Sequence, residues 1–426
     1  MQLTHAPAAG AFRAALRVAA CALLAGGVAT IAAAQPAPVA PESPTWQLET
    51  SGLFYGEMHR TRVFEPAARI TRLFAHGQSV TAALDFDAIT GASPSGAQPS
   101  GVAQTTTTPS GNTKVTPAGE IPLTDFRDVR GAVDLEYVQP LGSHLTATTG
   151  GHFSKERDYR SLGGRAQLSL EAFQRLSTFT AGWSVNADVV TPLEGTRAAF
   201  TEDDRTGSTS EHKDSRSFLA GTSRVLTRRW LLGVTGTYSE DSGYLSDPYK
   251  LVSILDHTTG HTTSSLHERR PDRRLRRDLL ASSAYHHATD VSYVSYRYYW
   301  DDWGVKAHTL DLKLRHDFDD KRFLMPHLRA YHQGPADFFS YGLRDDRPLP
   351  EFATSDYRLG TLNTATVGAT LGFGLPDVPG QFTVRAELLR QWGKGFPDEA
   401  IGSQRTYNLA PGVGIGTVMA GWSVGW

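Results

Sequence analysis

The mature part of this chain has no cysteine. Among 426 residues only Cys21 carries a thiol, and it lies within the first 34. Once that segment is removed, disulfides, thiol catalysis and thiolate metal sites are excluded. Long apolar runs are equally scarce: past residue 34 no stretch approaches the ~20 residues that a transmembrane helix needs. Surplus charge is missing too. Of 42 basic residues, Arg13 and Arg17 fall in the leader, which leaves 40 against 44 acidic ones. That balance argues against a nucleic-acid partner. There is no G-x-S-x-G elbow, no H-E-x-x-H and no phosphate loop. The sequence therefore assigns no catalytic residue, metal or cofactor.

The leader itself has the form of an export signal. Arg13 and Arg17 supply the basic start, Val18–Ala33 the apolar run, and Ala32-Ala33-Ala34 before Gln35 the cleavage site. Arg17 abuts Val18-Ala19-Ala20-Cys21, and the apolar run continues past it, which argues against a lipoprotein box. Residues 35–45, with PAPVAPESP, form a Pro-rich flexible leader. Residues 46–426 are expected to form one domain.

What is present is strand periodicity. In 178–189, Phe179, Ala181, Trp183, Val185, Ala187 and Val189 alternate with Thr178, Thr180, Ser184, Asn186 and Asp188. Leu310, Leu312 and Leu314 alternate with Asp311, Lys313 and Arg315, and Val133, Leu135 and Tyr137 with Asp134 and Glu136. Trp230, Leu232, Val234 and Tyr238 share one face of a further segment. Alternation over nearly the whole chain is the strand signature. With the mean hydropathy at −0.32, it matches a barrel whose strands face lipid on one side and water on the other. A soluble sandwich would alternate as well, but over shorter strands and without charges opposite an unbroken leucine stripe. The terminal stripe Val418, Ala420, Trp422, Val424 and Trp426, ending on an aromatic residue, supports the barrel.

Strands are expected at 46–57, 61–74, 79–87, 127–138, 143–155, 159–172, 177–189, 215–226, 229–240, 278–287, 290–299, 305–317, 322–333, 355–372, 379–392 and 405–426. That is about sixteen, an even number as such a barrel requires. With the first strand started in the periplasm, long connections (88–126, 190–214, 241–277, 334–354) fall on one side and short turns on the other. The expected fold is an all-β, transmembrane, antiparallel up-and-down barrel with short periplasmic turns and long extracellular loops. Ser93 to Gly119, rich in Gly, Pro, Ser and Thr, makes 88–126 an expected disordered extracellular loop.

Two groups of side chains are candidates for function. Arg130, Asp134, Glu136, Asp188, Arg297, Asp311, Lys313 and Arg315 oppose apolar stripes and are expected to face the lumen. There they would pair across the interior and tune selectivity or rigidify a closed barrel. Asp87, Asp158, Arg160, Asp247, Tyr249, Lys250, Asp301, Asp302, Trp303, Asp337 and Asp356 lie at or beside extracellular strand ends. They are expected to cluster at the mouth, either packing the loops or binding a ligand. DPYK and WDDWG read equally as turn chemistry. Acidic pairs such as Asp301–Asp302 and Asp319–Asp320 fall short of the six to eight oxygens that Ca²⁺ takes. His308 is placed near the outer interface.

The mouth residues belong to seven phrases: DAITGASP (87–94), DYRSLGG (158–164), GYLSDPYKLV (243–252), ERRPDRR (268–274), YRYYWDDWG (296–304), GPADFF (334–339) and DYRLG (356–360). In this order they resemble a Gram-negative exported family known as domain of unknown function 3570. The resemblance implies an outer-membrane barrel. It also implies companions such as small lipoproteins, thioredoxin-like proteins and flavin transferases, hence an extracytoplasmic redox or metal setting.

The leading expectation is a non-enzymatic pore or receptor in the bacterial outer membrane, with outer-membrane lipid and a small solute or ion as partners. One alternative is an assembly partner of a periplasmic lipoprotein or thioredoxin-like protein. The other is a lipid-acting enzyme that would use a Ser/His pair including His308.

Overall fold

The computed structural model describes residues 45–58, 60–107, 113–192, 195–202 and 208–426. The signal segment, and all but the last residue of the Pro-rich leader, lie outside them.

The strands, in chain order, begin with β1 (Thr45–Glu57), β2 (Arg62–Leu73), β3 (Ser79–Pro94), β4 (Gln104–Thr107), β5 (Thr113–Thr116), β6 (Leu123–Pro140) and β7 (Leu145–Lys155). They continue with β8 (Tyr159–Ala172), β9 (Ser177–Val190), β10 (Glu211–Thr227), β11 (Trp230–Gly243), β12 (Leu251–Leu255), β13 (Thr262–His267) and β14 (Arg273–His286). The last are β15 (Asp290–Asp301), β16 (Lys306–Asp317), β17 (Phe323–Gln333), β18 (Leu343–Arg344), β19 (Leu362–Phe373), β20 (Gln381–Gly393) and β21 (Val413–Gly425).

Sixteen of these make a closed antiparallel barrel, in the order β1-β2-β3-β6-β7-β8-β9-β10-β11-β14-β15-β16-β17-β19-β20-β21. Pairing of β1 with β21, from Gln47↔Gly425 to Glu57↔Ile415, closes the ring and leaves no free edge. The short β12, β13 and β18 form a separate sheet, and β4 pairs with β5.

The alternation read from the sequence sets which side chains point outward. Leu84, Leu135, Leu168, Trp183, Leu279, Leu310, Leu328 and Leu388 are all exposed on the outer wall. Their polar neighbours along each strand point into the lumen. So much exposed apolar surface is stable against lipid rather than water. Aromatic groups gather at both rims: Tyr298 stacks on Trp300 (5.3 Å) at one, and Phe382 on Trp422 (6.3 Å) at the other. Such girdles mark the two interfaces of a bilayer.

All sixteen expected barrel strands are present, and every long connection lies at one end, with only short turns at the other. Three boundaries differ by seven residues or more. β3 runs on to Pro94 and pairs with β6 as far as Pro94↔Leu123. The 88–126 segment, expected to be disordered, therefore begins and ends as strand in its described residues, and Ser95 to Ser100 are buried. The strand expected from 355 begins at Leu362, because Tyr357–Leu359 is a short 3-10 turn whose N-cap, Asp356, accepts the Arg358 amide. The last strand starts at Val413 rather than 405; Gly402–Thr406 is another 3-10 turn.

Candidate functional site

The long loops do not stand apart. They interlock into a cap. The Leu251 amide donates to Ser95 O (2.8 Å), and the Gln98 amide to Ser253 Oγ (2.9 Å). Gln404 Nε2 donates to Pro99 O and to Gly260 O (both 2.9 Å). Asp345 N reaches Leu255 O (3.0 Å), and β12 pairs in parallel with β18.

Ring position gives these contacts their meaning. Loop 95–122 leaves between the third and fourth strands of the ring, 244–272 between the ninth and tenth, and 394–412 between the fifteenth and sixteenth. The second therefore starts six strands from each of the other two. Sixteen strands about 4.8 Å apart and tilted about 40° make a ring roughly 30 Å across. Loops from such distant anchors meet only by crossing the mouth. At the centre of the crossing, Val252 and Ser253 have no exposed surface.

A chain of charges ties the cap together. Asp247 begins a turn by accepting the Tyr249 amide (3.1 Å), the local chemistry of Asp before Pro. Its other oxygen takes Arg358 Nη2 at 2.7 Å, and Arg358 also holds Asp356 at 2.6 Å. Asp356 binds Arg270 (2.8 Å), which pairs with Glu268 (2.6 Å). Glu268 accepts the Asp247 amide (2.7 Å) and the Thr354 hydroxyl (2.5 Å), which closes the circuit. Lys250 reaches Ser93 Oγ (3.0 Å) and Pro94 O on β3. Three carboxylates thus gather with Arg270, Lys250 and the half-exposed Arg358, so that the buried charges among them are compensated, as buried charge must be.

Burial pushes the carboxyl groups of Asp247 and Asp356 up, but Arg358, Lys250 and Arg270 outweigh it and hold both below the usual carboxylate range. Glu268 is the exception: burial prevails over Arg270 and raises it. Burial likewise lowers Lys250.

The WDDWG turn forms a second knot beside the first. Asp301 accepts the Trp303 and Val305 amides (3.1 and 2.9 Å), the Tyr299 hydroxyl (2.7 Å) and Arg274 (2.5 Å). Arg274 lies over the Trp303 ring at 4.3 Å. Trp303 packs with Val305, Ala336 and Leu359, so the WDDWG, GPADFF and DYRLG phrases share one core. Gly304 takes φ +84°, which favours glycine, and a Cβ there would lie 2.2 Å from Asp337 Oδ1, so the carboxylate would have to shift.

Most mouth candidates thus come together: Asp247, Lys250 and Asp356 in the first knot, and Asp301, Trp303 and Asp337 in the second. Asp302 accepts the Leu275 amide (2.8 Å), and Asp158 receives the Tyr249 hydroxyl. Two do not belong. Asp87 is on the inward face of β3 and pairs with Arg130 (3.1 Å), because β3 continues past it. Arg160 points outward from β8, in phase with exposed Leu162 and Leu168. Sequence reasoning did not single out Glu268 and Arg358, although ERRPDRR and DYRLG contain them.

The eight lumen candidates all point inward. They pair along the wall rather than across it. Arg165 binds Asp134 (3.5 Å) and Glu136 (3.0 Å), and Arg297 binds Asp278 (3.0 Å). Asp188 lies 3.8 Å from Lys213, Lys313 lies 3.5 Å from Asp311, and Arg315 holds Asp317 (2.8 Å). A lumen of this width leaves opposite walls out of side-chain reach. His327, also missed, bridges Asp311 (2.9 Å) and Glu387 (2.8 Å).

The alternative chemistries find little to work with. His308 Nδ1 sits 2.6 Å from the Tyr296 hydroxyl, beside the Tyr298 ring, rather than on a serine. Asp319 is occupied by the Lys321 and Arg322 amides (2.9 and 2.8 Å). Asp256, His257 and Asp345 bring ligand atoms within 4.8 Å of one another. There, however, the His257 amide (3.0 Å) and ring (2.9 Å) are committed to Asp345, and the Thr258 and Thr259 amides to Asp256.

Residues 13–424 match the family described as Protein of unknown function (DUF3570), and the chain belongs to that family. No curated protein matches it. Weak structural likenesses are to Pseudomonas aeruginosa barrels. OccK3 (OpdO) is 9% identical, with 90% of this chain and 97% of that one covered and a TM-score of 0.39. The outer membrane protein opdK is 7% identical, with 90% and 100% covered and a TM-score of 0.40. The ferric enterobactin receptor PfeA in complex with BCV-L6 is 9% identical, with 90% and 61% covered and a TM-score of 0.43. The barrel itself stands on this chain's own strand pairing.

Proposed function

We propose that this DUF3570 chain is an outer-membrane β-barrel that admits a small solute or ion through a mouth closed, in the state described, by its own loops. Its long-loop end is then the extracellular one. The observation that carries this reading is the charge circuit Asp247–Arg358–Asp356–Arg270–Glu268, which joins loops anchored on distant strands.

A cap fastened by ion pairs differs from one fastened by an apolar core. Beside the backbone bonds that interlock the loops, closure draws on a few charged groups, and an arriving anion or cation can compete for them. Beneath it, a wall of paired Arg, Lys, Asp and Glu offers polar contacts and no apolar barrier to an ion. The chemistry of the site is therefore recognition and passage, with no bond made or broken. Flux of small charged dyes from liposomes containing the protein tests this reading. Flux is expected to rise when Arg270 or Arg358 is replaced. Equal flux with and without the circuit would contradict it.

A further inference from the structure

A cavity of about 840 Å³ opens on the lipid-facing side of β2, β3, β6 and β7. Its outer-wall lining includes Ala68, Leu84, Phe86, Gly131, Phe153 and Lys155. Two sequence features make the dent. Gly131 stands between outward Val129 and Val133, and a Cβ placed on it would meet nothing within 4 Å. Pro66 interrupts the β2–β3 ladder, whose pairing skips from Phe64↔Ala88 to Ala67↔Asp85. The dent is a groove open to its surroundings, and apart from Lys155 its outward lining is apolar.

The rim of the dent nearest the long loops is cationic. Lys155 pairs in register with Gly131 on one side and with Arg160 on the other. Arg62 and Arg127 flank Thr90 in a second row. Lys155 and Arg160 are exposed, and neither has an ion-pair partner among the described residues. Of the acidic residues lining the cavity, Asp85 points into the lumen and Glu156 shares a hydrogen bond with Asp128. Lys155 and Arg160 thus stand at the interface with no ion-pair partner among the described residues, and an apolar groove runs from them toward the middle of the wall.

We propose that this groove binds a phosphate-bearing, acylated lipid of the outer leaflet. An acyl chain lies over Gly131 between Phe86 and Phe153, and the phosphate sits on Lys155 and Arg160. Arg supplies a planar fork matched to phosphate oxygens, and Lys a mobile point charge. The order of parts fits one leaflet only: β6 runs from the long-loop rim inward, so Arg127 precedes Val129, Gly131 and Val133 in depth. The proposal rests on the outer-membrane placement, which orients that rim outward.

The test is native mass spectrometry of the full mature protein in nanodiscs, with bisphosphorylated lipid A and its dephosphorylated form as probes. The wild type is expected to retain the phosphorylated lipid about tenfold better. Lys155→Gln with Arg160→Gln should abolish the preference, and Gly131→Leu should lower retention of both lipids. Arg216→Gln, a control on the same outer face, should change neither. Equal retention of the two lipids by the wild type, or variants that behave as wild type, would overturn the proposal while leaving the barrel's placement intact. Binding of inorganic phosphate that survives Gly131→Leu with no lipid retained would reduce the site to an anion site and overturn it too. Failure of the wild type to enter the bilayer at all, read as the absence of heat-shifted gel mobility, would instead overturn the placement.

Discussion

Arg358 and Asp247 stand 111 residues apart in sequence and 2.7 Å apart in space. Arg358 leaves its loop four ring strands away from the loop of Asp247. Their contact, with the Asp356 carboxylate held by the same guanidinium, turns two surface loops into one lid.

The two arginines of the circuit are not equivalent. Arg270 is 11% exposed and sits between two carboxylates that are almost wholly buried. Arg270→Ala should weaken cap closure by about 3–5 kcal/mol, the cost of leaving buried charge unpaired. Arg358 is half exposed, so Arg358→Ala should cost only about 1–2 kcal/mol. Hydrogen exchange in β12 and β13 measures both, and the order of the two effects is the test.

Acid should open the cap, but only strongly acid solution. Asp247 and Asp356 are held below their usual range, so their contribution is complete above about pH 4 and is lost as pH falls through the depressed values. Glu268, raised by burial, takes up its proton earlier, and its protonation favours the closed state. The protection of cap amides, corrected for their intrinsic exchange, should hold or rise as pH falls from 7 to about 4 and should drop below that. A loss of protection already at pH 6 would contradict the assignment.

Glycines offer a paired test of geometry. Gly304→Ala places a methyl group against Asp337 at a strained φ and should destabilise the cap by about 1–3 kcal/mol. Gly131→Ala, facing open space on the wall, should leave thermal stability within about 0.5 kcal/mol. Melting of the two variants by circular dichroism in detergent separates them.

Lumen charge should be readable once the cap is released. Replacing Lys313 and Arg315 by Gln removes the lysine 3.5 Å from Asp311 and the arginine 2.8 Å from Asp317, with His327 left beside Asp311. In an Arg270→Ala background the reversal potential in a salt gradient should shift toward cation selectivity. An unchanged potential would place the conduction path elsewhere.

The barrel was legible because each strand repeats one local rule. Leu310, Leu312 and Leu314 must face alike, and so must Asp311, Lys313 and Arg315, whatever their partners. The phase of that rule also placed all eight lumen charges. The rim was harder. Past the lipid, β3 and β6 keep pairing without an apolar stripe to mark them, so the sequence marks Asp87 as a strand end; Arg160, at the start of β8, carries no sign in the sequence that it faces outward. The cap was the least legible part. Asp247 and Asp356 each look like turn chemistry, and in the structure each does cap a local turn. Their long-range partners, Arg270 and Arg358, carry no periodicity that would pair them across loops.

Single-channel recording in a planar bilayer tests the central claim most directly, comparing the refolded wild-type protein with Arg270→Ala/Arg358→Ala. Heat-shifted gel mobility confirms that both are folded. The wild type is expected to be silent or to open rarely, and the double variant to show discrete, ion-selective steps. Equal conductance from the two proteins, whether open or silent, would contradict a mouth closed by this charge circuit.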